Sequence, residues 1–388
     1  MNNIYCISEE EAVLRLNKIY NEMIKHKVDA VLVSSNANLY YLTGRVFSGY
    51  ILITADGVSF FVKRPVGLCG ANLFYIRKPE EITDGLSMYL NKHAIEMSQE
   101  SYSTCIRLMN AFPSVEKFFD ADILIDAARA IKTPGEIEQI AASGIRQTEV
   151  YLQIPSLYKP GMTDVEFQIA IETASRLNGC LGQFRISGNS MELFMANILA
   201  GDNADNPTPY DFAMGGAGTD TSLPVGANGT VIAPGMSVMV DCNGNYTGYM
   251  TDMTRVFAVG EISELAHKAH ECSIRICREI EKEGKPGVEA RHLYKLATDI
   301  VKEEKLEDYF MGHRQKAGFI GHGVGIEINE SPVIAPRSQH KLEEGNVIAL
   351  EPKFVIPGTG AVGIENTYLV TGSGLKCLTN APEEIIRL

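Results

Sequence analysis

The sequence predicts an α/β domain over residues 1–130 followed by an α+β domain over residues 131–388. Three observations predict this. Before residue 130, apolar β-branched stretches alternate with helical ones, the order expected of an α/β layer structure. After it, VMVDCNGNYTGYMTDMTRVF and IALEPKFVIPGTGAVGIENTYLV each read as two strands around turn residues, a hairpin signal. Lys-Pro-Gly also opens a helical pattern twice, at Lys159 and again at Lys285. Repeated hairpins and repeated helix starts together indicate a duplicated architecture whose two halves face one another.

The elements follow in order. EEEAVLRLNKIYNEMIKHK has a helical pattern, and VDAVLVSSNANLYYLTG, GYILITADGVSFFVK and LFYIRKP read as strands. ARAIKTPGEIEQI then starts a helix, with Thr133 as N-cap, Pro134 at the first position and Glu136 completing a capping box. Thr163 and Glu166 repeat the device in KPGMTDVEFQIAIETASRL. NSMELFMANILAGDNADNPTPYDFAM reads either as a substrate-shaping loop or as an ordinary surface excursion. GGAGTDTSLPVGANG is glycine-rich but follows no strand-to-helix phosphate pattern. In SELAHKAHECSIRI the apolar ribs are predicted to be core, and His267 and His270, three residues apart, to face solvent.

Composition narrows the function classes. At 388 residues and 45% hydrophobic, the chain can bury a sizeable core. A net charge of −13 without a Lys/Arg-rich stripe argues against nucleic-acid binding. No signal sequence is read at the start, and no apolar stretch is long enough to span a bilayer. Eight cysteines without a CxxC read as reduced thiols, so a cytoplasmic protein is expected. Cys242 adjoins Asp241, and strand alternation predicts that it packs on the opposite face.

The chemistry concentrates in the two hairpins. Asp241 and Asp252 sit equally far from the Tyr246–Thr247 link inside Asn-Gly-Asn-Tyr-Thr-Gly in the first, and Glu351 and Glu365 equally far from Gly358 in the second. Symmetry about each turn predicts direct cross-strand neighbours, with Cβ atoms roughly 4.5–5.5 Å apart. Facing like charges among apolar residues are unfavourable unless a cation sits between them. A single pair also suits a solvated hairpin end, a turn cap or a carboxylate pair sharing a proton. Two pairs, with His322 between them in GHGVG, point to a metal site built from two hairpins. Glycines around His322 let the backbone pass close to that site.

The series Asp241-(x10)-Asp252, Gly321-His322-Gly323, Glu351-Pro352 and Ile364-Glu365 resembles the metal-ligand pattern of the Xaa-Pro aminopeptidase and prolidase family. GYMTDMTRVFAVG and IENTYLVT extend the likeness, and NLYYLTGRVFSGYILIT is similar to the N-terminal domain of the creatinase-like branch. The resemblance implies a pita-bread domain, with helices backing a curved antiparallel sheet of pseudo-twofold symmetry. It implies Asp241, Asp252, His322, Glu351 and Glu365 as ligands of two divalent ions, drawn from Mn, Co, Zn or Fe. A peptide or small amide substrate would then be cleaved by metal-activated water, the ions about 3.5–4 Å apart. Glu351 would accept the proton. The alternative is a noncatalytic or altered-specificity binding protein that retains a structural metal site.

Departures from the family pattern are equally informative. Val225 and Asn329 stand where the peptidases carry two histidines, and both are expected to line the pocket without coordinating metal. Asn329 could donate a hydrogen bond to the developing oxyanion but could not relay a proton. An Arg commonly precedes the Ile-Glu pair, and here that position is Gly363. Creatinases lack the metals and keep a working His, which is the opposite arrangement. Relatives also dimerise through the N-terminal domain, and YYLTGRVFSGY, with Tyr40, Tyr41, Arg45, Phe47 and Tyr50, has a composition common at interfaces. A homodimer with Arg45 near the partner's cleft is expected. The other reading of these aromatics is packing within their own domain.

Overall fold

The computed structural model describes residues 2–83, 92–113, 115–188, 193–211 and 214–388, which form two compact units, Met1–Arg129 and Ala130–Leu388. In the first unit, strands β1 (Ala30–Val33), β2 (Ser48–Thr54), β3 (Gly57–Arg64), β4 (Leu73–Tyr75), β5 (Lys92–Ile95) and β6 (Lys117–Asp120) form one mixed sheet in the order β4-β3-β2-β1-β5-β6. Helix Glu9–His26 opens at Ser8, whose side chain accepts from the Glu11 N–H. Leu32, Leu52, Phe61, Ile95 and Leu108 are buried together in this unit's core.

One expectation fails here. The second half of VDAVLVSSNANLYYLTG is the helix Asn36–Thr43, not a strand. Ser35 caps it by accepting from the Asn38 N–H, and Gly44 closes it at φ +70°. These two caps outweigh the β-leaning run of Leu and Tyr between them.

The second unit adds β7 (Ala196–Ala200), β8 (Ser237–Asn245), β9 (Met250–Ala258), β10 (Gly321–Gly323), β11 (Glu330–Ile334), β12 (Val347–Leu350), β13 (Lys353–Ile356), β14 (Gly360–Gly363), β15 (Asn366–Thr371), β16 (Gly374–Cys377) and β17 (Ile386–Arg387). Sheets β17-β9-β8-β7 and β11-β10-β12-β15-β16, with the ribbon β13-β14, are antiparallel except where β17 joins β9. A bridge between Thr254 and Glu365 stitches the two sheets together.

The duplication is literal. Helices Pro134–Tyr151 and Asp164–Leu177 follow the capping boxes at Thr133 and Thr163, both of which form. The second of these helices buries Phe167 and Ile171 against Ile198, Val240 and Phe257 of one sheet. Helices Glu264–Glu283 and Ala290–Glu304 bury Ile276, Ile280, Leu293 and Ile300 against Ile348, Leu350 and Tyr368 of the other. After each Lys-Pro-Gly, the residue preceding the helix makes a β-bridge, Thr163 with Val231 and Glu289 with Lys341. Val231 stands ten residues before Asp241, and Lys341 ten before Glu351. Each half therefore delivers a carboxylate from the same place. Lys132, in the linker motif, is buried and ion-paired to Glu330 at 2.9 Å.

Candidate metal centre and active-site cavity

Each site residue is aimed by its strand. In the first hairpin, Asp241 pairs with Thr254 and Asn243 with Asp252. Asp241 and Asp252 are therefore diagonal neighbours on one face, two positions off the direct pairing that their symmetric spacing predicts. The register is set by the ladder closing at Asn245 opposite Met250, with Tyr246–Tyr249 as the connection. In the second hairpin the expected register forms: Leu350 opposes Asn366 and Lys353 opposes Gly363, which leaves Glu351 and Glu365 at the break between two ladders. Cys242 packs with Phe167 and Met253 on the opposite face from Asp241.

His322 lies in β10, flanked by glycines because neighbouring strands press close. A Cβ at Gly321 would strike the Ala349 carbonyl, and one at Gly323 the Ser331 carbonyl. The glycines thus admit adjacent backbone rather than a ligand. His322 Nδ1 lies 3.1 Å from the Gly323 carbonyl, which places its proton there. Nε2 is left as a lone pair facing Glu351 Oε1 at 3.5 Å and Asp252 Oδ2 at 3.8 Å. This is the tautomer a metal ligand requires.

Two groups of side chains can each converge on a point: Asp252, His322 and Glu365, and Asp241, Glu351 and Glu365. The first fits a divalent cation. Glu365 Oε1 is buried with no hydrogen-bond partner, an arrangement that is costly unless a cation meets it. Burial, then Glu365 and Asp241, push the Asp252 carboxyl well above the usual range, and burial also raises Asp241 and Glu365. The second group already faces a cation. The Lys353 ammonium is 2.8 Å from Asp241 Oδ2, 2.9 Å from Glu351 Oε2 and 3.0 Å from Glu365 Oε2. Burial disfavours that ammonium, yet the three carboxylates hold its pKa well above the ordinary lysine value.

Sequence reasoning missed Lys353. The signal was present, because residues two apart on a strand share a face, so a Lys two positions after Glu351 points into the same site. Arg255 was quoted only as part of a motif. It is fully buried, donating to the carbonyls of Thr254 and Glu365 at 2.8 Å and to Asn366 Oδ1 at 2.7 Å, and so it anchors the Glu365 backbone.

The carboxylates and His322 form one wall of a cavity of about 370 Å³. Phe184, Ile186, Phe319, Ile328 and Val333 make much of the rest apolar. The Asn/Asp/Pro-rich insert contributes Leu193, Phe194, Met195, Asp211 and Met214; its residues 189–192 and 212–213 lie outside the described residues. Asn329 lines the cavity, but its Oδ1 accepts from the Ser187 N–H and its Nδ2 donates to the Ser187 carbonyl, both at 2.7 Å. Val225 does not line it. The Val225 N–H closes a tight turn onto the Leu223 carbonyl, and its backbone packs against Gly218, so the side chain is buried elsewhere. Among the described lining residues His322 is the only histidine; His313 is held by Asp205 at 2.9 Å.

Four carboxylates and one imidazole thus cluster across the duplicated antiparallel sheet of a pita-bread fold, a donor set that could hold a metal ion. Residues 138–372 match metallopeptidase family M24, and residues 15–131 match the creatinase/prolidase N-terminal domain. The chain belongs to metallopeptidase family M24. It is 28% identical over 386 residues to the Xaa-Pro dipeptidase of Pyrococcus horikoshii, spanning 96% of this chain and 98% of that one. The solved prolidase from Pyrococcus horikoshii OT3 superposes with a TM-score of 0.77 at 26% identity, covering 96% and 99% of the two chains. An Xaa-Pro dipeptidase from Bacillus anthracis shares the fold, with a TM-score of 0.80 over 97% of this chain and 100% of that one.

Proposed function

We propose that the protein hydrolyses short peptides or related small amides, in the manner of an Xaa-Pro dipeptidase or aminopeptidase. The observation that carries this reading is the placement of Asp252, His322, Glu351 and Glu365 in the wall of a mostly apolar cavity of about 370 Å³. That volume suits a small ligand, and its apolar lining suits a prolyl ring or another bulky side chain. Asp252, His322 and Glu365 would hold a divalent ion, which would supply Lewis-acid polarisation of a scissile carbonyl and a lowered pKa for bound water.

The protein's own groups supply the rest. Glu351 Oε1 faces the His322 side of the site and is the proton acceptor. Phe184, Ile186 and Phe319 exclude bulk water. Asn329 fixes the Phe184–Ser187 wall through its two hydrogen bonds to the Ser187 backbone. With no second histidine among the described lining residues, proton relay is weaker than in the histidine-bearing pattern of the family. Xaa-Pro cleavage is therefore expected to be slow. We further propose a cytoplasmic homodimer with functional domains at 1–130 and 131–388, and Mn, Co, Zn or Fe as the metal.

The test is a screen of Xaa-Pro dipeptides, longer peptides and small amides with Mn²⁺-loaded protein. Turnover of the dipeptides is expected. Asp252→Asn should lower it at least about 100-fold, together with bound metal. Metal binding without turnover of any substrate would leave the noncatalytic reading in place.

A further inference from the structure

We propose that Lys353 is a built-in replacement for one of the two cations of the carboxylate cage, so that the chain binds a single divalent ion at Asp252, His322 and Glu365. This rests on reading the cage as a metal centre and changes its stoichiometry.

An ammonium has three donors, and Lys353 directs all three at carboxylates contributed by both hairpins, Asp241, Glu351 and Glu365, at 2.8–3.0 Å. Its side chain is fully buried, so it cannot swing out to solvent to admit an ion. A divalent ion bound by the same oxygens would have to share their lone pairs with a second positive charge a few ångströms away. The Asp241, Glu351 and Glu365 cluster therefore already holds one positive charge supplied by the chain itself, at the point where its three oxygens meet.

The two glutamates divide their oxygens accordingly. Glu351 gives Oε2 to Lys353 and turns Oε1 towards His322. Glu365 gives Oε2 to Lys353 and to the Thr254 hydroxyl at 2.7 Å, while Oε1 stays buried and unpartnered. Carboxylates placed to bridge two metal ions here bridge an ammonium and one remaining cation position.

The strand opposite Lys353 approaches its backbone closely. Lys353 opposes Gly363 directly, at the position where the family pattern commonly carries Arg. A Cβ on Gly363 would already stand 2.7 Å from the Pro352 carbonyl oxygen and 3.0 Å from Lys353 Cα. The cation on the partner strand is gone, and one has appeared opposite.

The experiment is metal counting on the full-length chain, stripped with chelator, re-equilibrated with excess Mn²⁺, desalted and analysed by plasma mass spectrometry. One ion per chain is expected for the wild type, and two for Lys353→Gly. The wild-type count needs no variant, so a folding failure of Lys353→Gly does not rescue the idea. Zero or two ions in the wild type overturns it, as does no gain in a folded Lys353→Gly. Lys353→Met, which leaves the carboxylates without their ammonium, should be less stable than wild type without metal and recover its melting temperature with Mn²⁺. Failure to recover counts against the proposal. The counts are independent of turnover, so loss of the hydrolase reading and loss of this one are separately visible.

Discussion

Among single residues, Asn329 shows how a side chain can stand at a functional position and act structurally. Both ends of its amide hold the Ser187 backbone, and that segment carries Phe184 and Ile186 into the cavity. Asn329→Ala should cost about 0.5–1.5 kcal/mol in urea unfolding, because a half-buried backbone donor and acceptor lose their partners. It should also raise KM more than it lowers kcat. Oxyanion stabilisation by Asn329 would instead give a fall in kcat of about 10²–10³-fold with KM little changed, so the split between the two constants decides the role. Introducing His at Val225 should leave turnover unaffected, since that side chain does not reach the cavity. The clustering of Asp241, Asp252, His322, Glu351 and Glu365 was legible in the sequence, because residue type and order around two turns and an intervening Gly-His-Gly suggest it. Val225 was not, because whether a loop residue faces a cavity depends on loop packing, which has no periodicity to read.

Among the elements, the second hairpin shows what fixes the carboxylates. Its ladder breaks between Leu350 and Lys353 on one strand and between Gly363 and Asn366 on the other. Backbone groups freed by the break must find partners. Helix Glu264–Glu283 supplies them: Ser273 Oγ donates to the Pro352 carbonyl at 2.5 Å and accepts from the Ile364 N–H at 2.9 Å. His270 Nδ1 accepts from the Gly363 N–H at 3.2 Å, and its Nε2 meets the Glu383 carbonyl at 2.7 Å. His270 was expected to face solvent beside His267; only His267 does. A three-residue spacing places two side chains near one helix face, but it does not say where the edge of the buried stripe falls.

Burial lowers the His270 pKa to about 4, because the neutral ring must keep an acceptor at Nδ1. Its unfolded value is about 6.5. Between these values the unfolded chain binds a proton that the native chain refuses. Stability from this residue is therefore complete above pH ~6.5 and is lost as pH falls towards about 4, by on the order of 3 kcal/mol. Urea unfolding of wild type and His270→Gln across that range should show the wild-type dependence reduced in the variant. An equal slope in both would assign the acid sensitivity elsewhere.

Over the whole molecule, the duplicated half is the feature that the sequence conveyed best and the N-terminal surface the one it conveyed least. Lys-Pro-Gly before a helix and an acid-bearing hairpin recur in both halves, and both signals are local; the matching bridges Thr163–Val231 and Glu289–Lys341 join distant residues and show only in the structure. Assembly is not a local property. The interface argument rested on aromatic residues, yet Tyr41, Phe47 and Tyr50 are buried in their own unit, Tyr50 accepting from Lys63 at 3.0 Å. What this segment offers to solvent is Val46 and Ser48, with Arg45 partly exposed beside them. The proposed homodimer thus narrows to contacts made by those side chains and the surface around them. Static light scattering at micromolar concentration should give about twice the mass of one chain. Val46→Asp, which places a charge in the proposed contact without touching a buried group, should shift the protein towards monomer and leave its melting profile unchanged at low concentration. A wild-type monomer ends the proposal, and a dimer indifferent to Val46→Asp and Arg45→Glu moves the interface to another face.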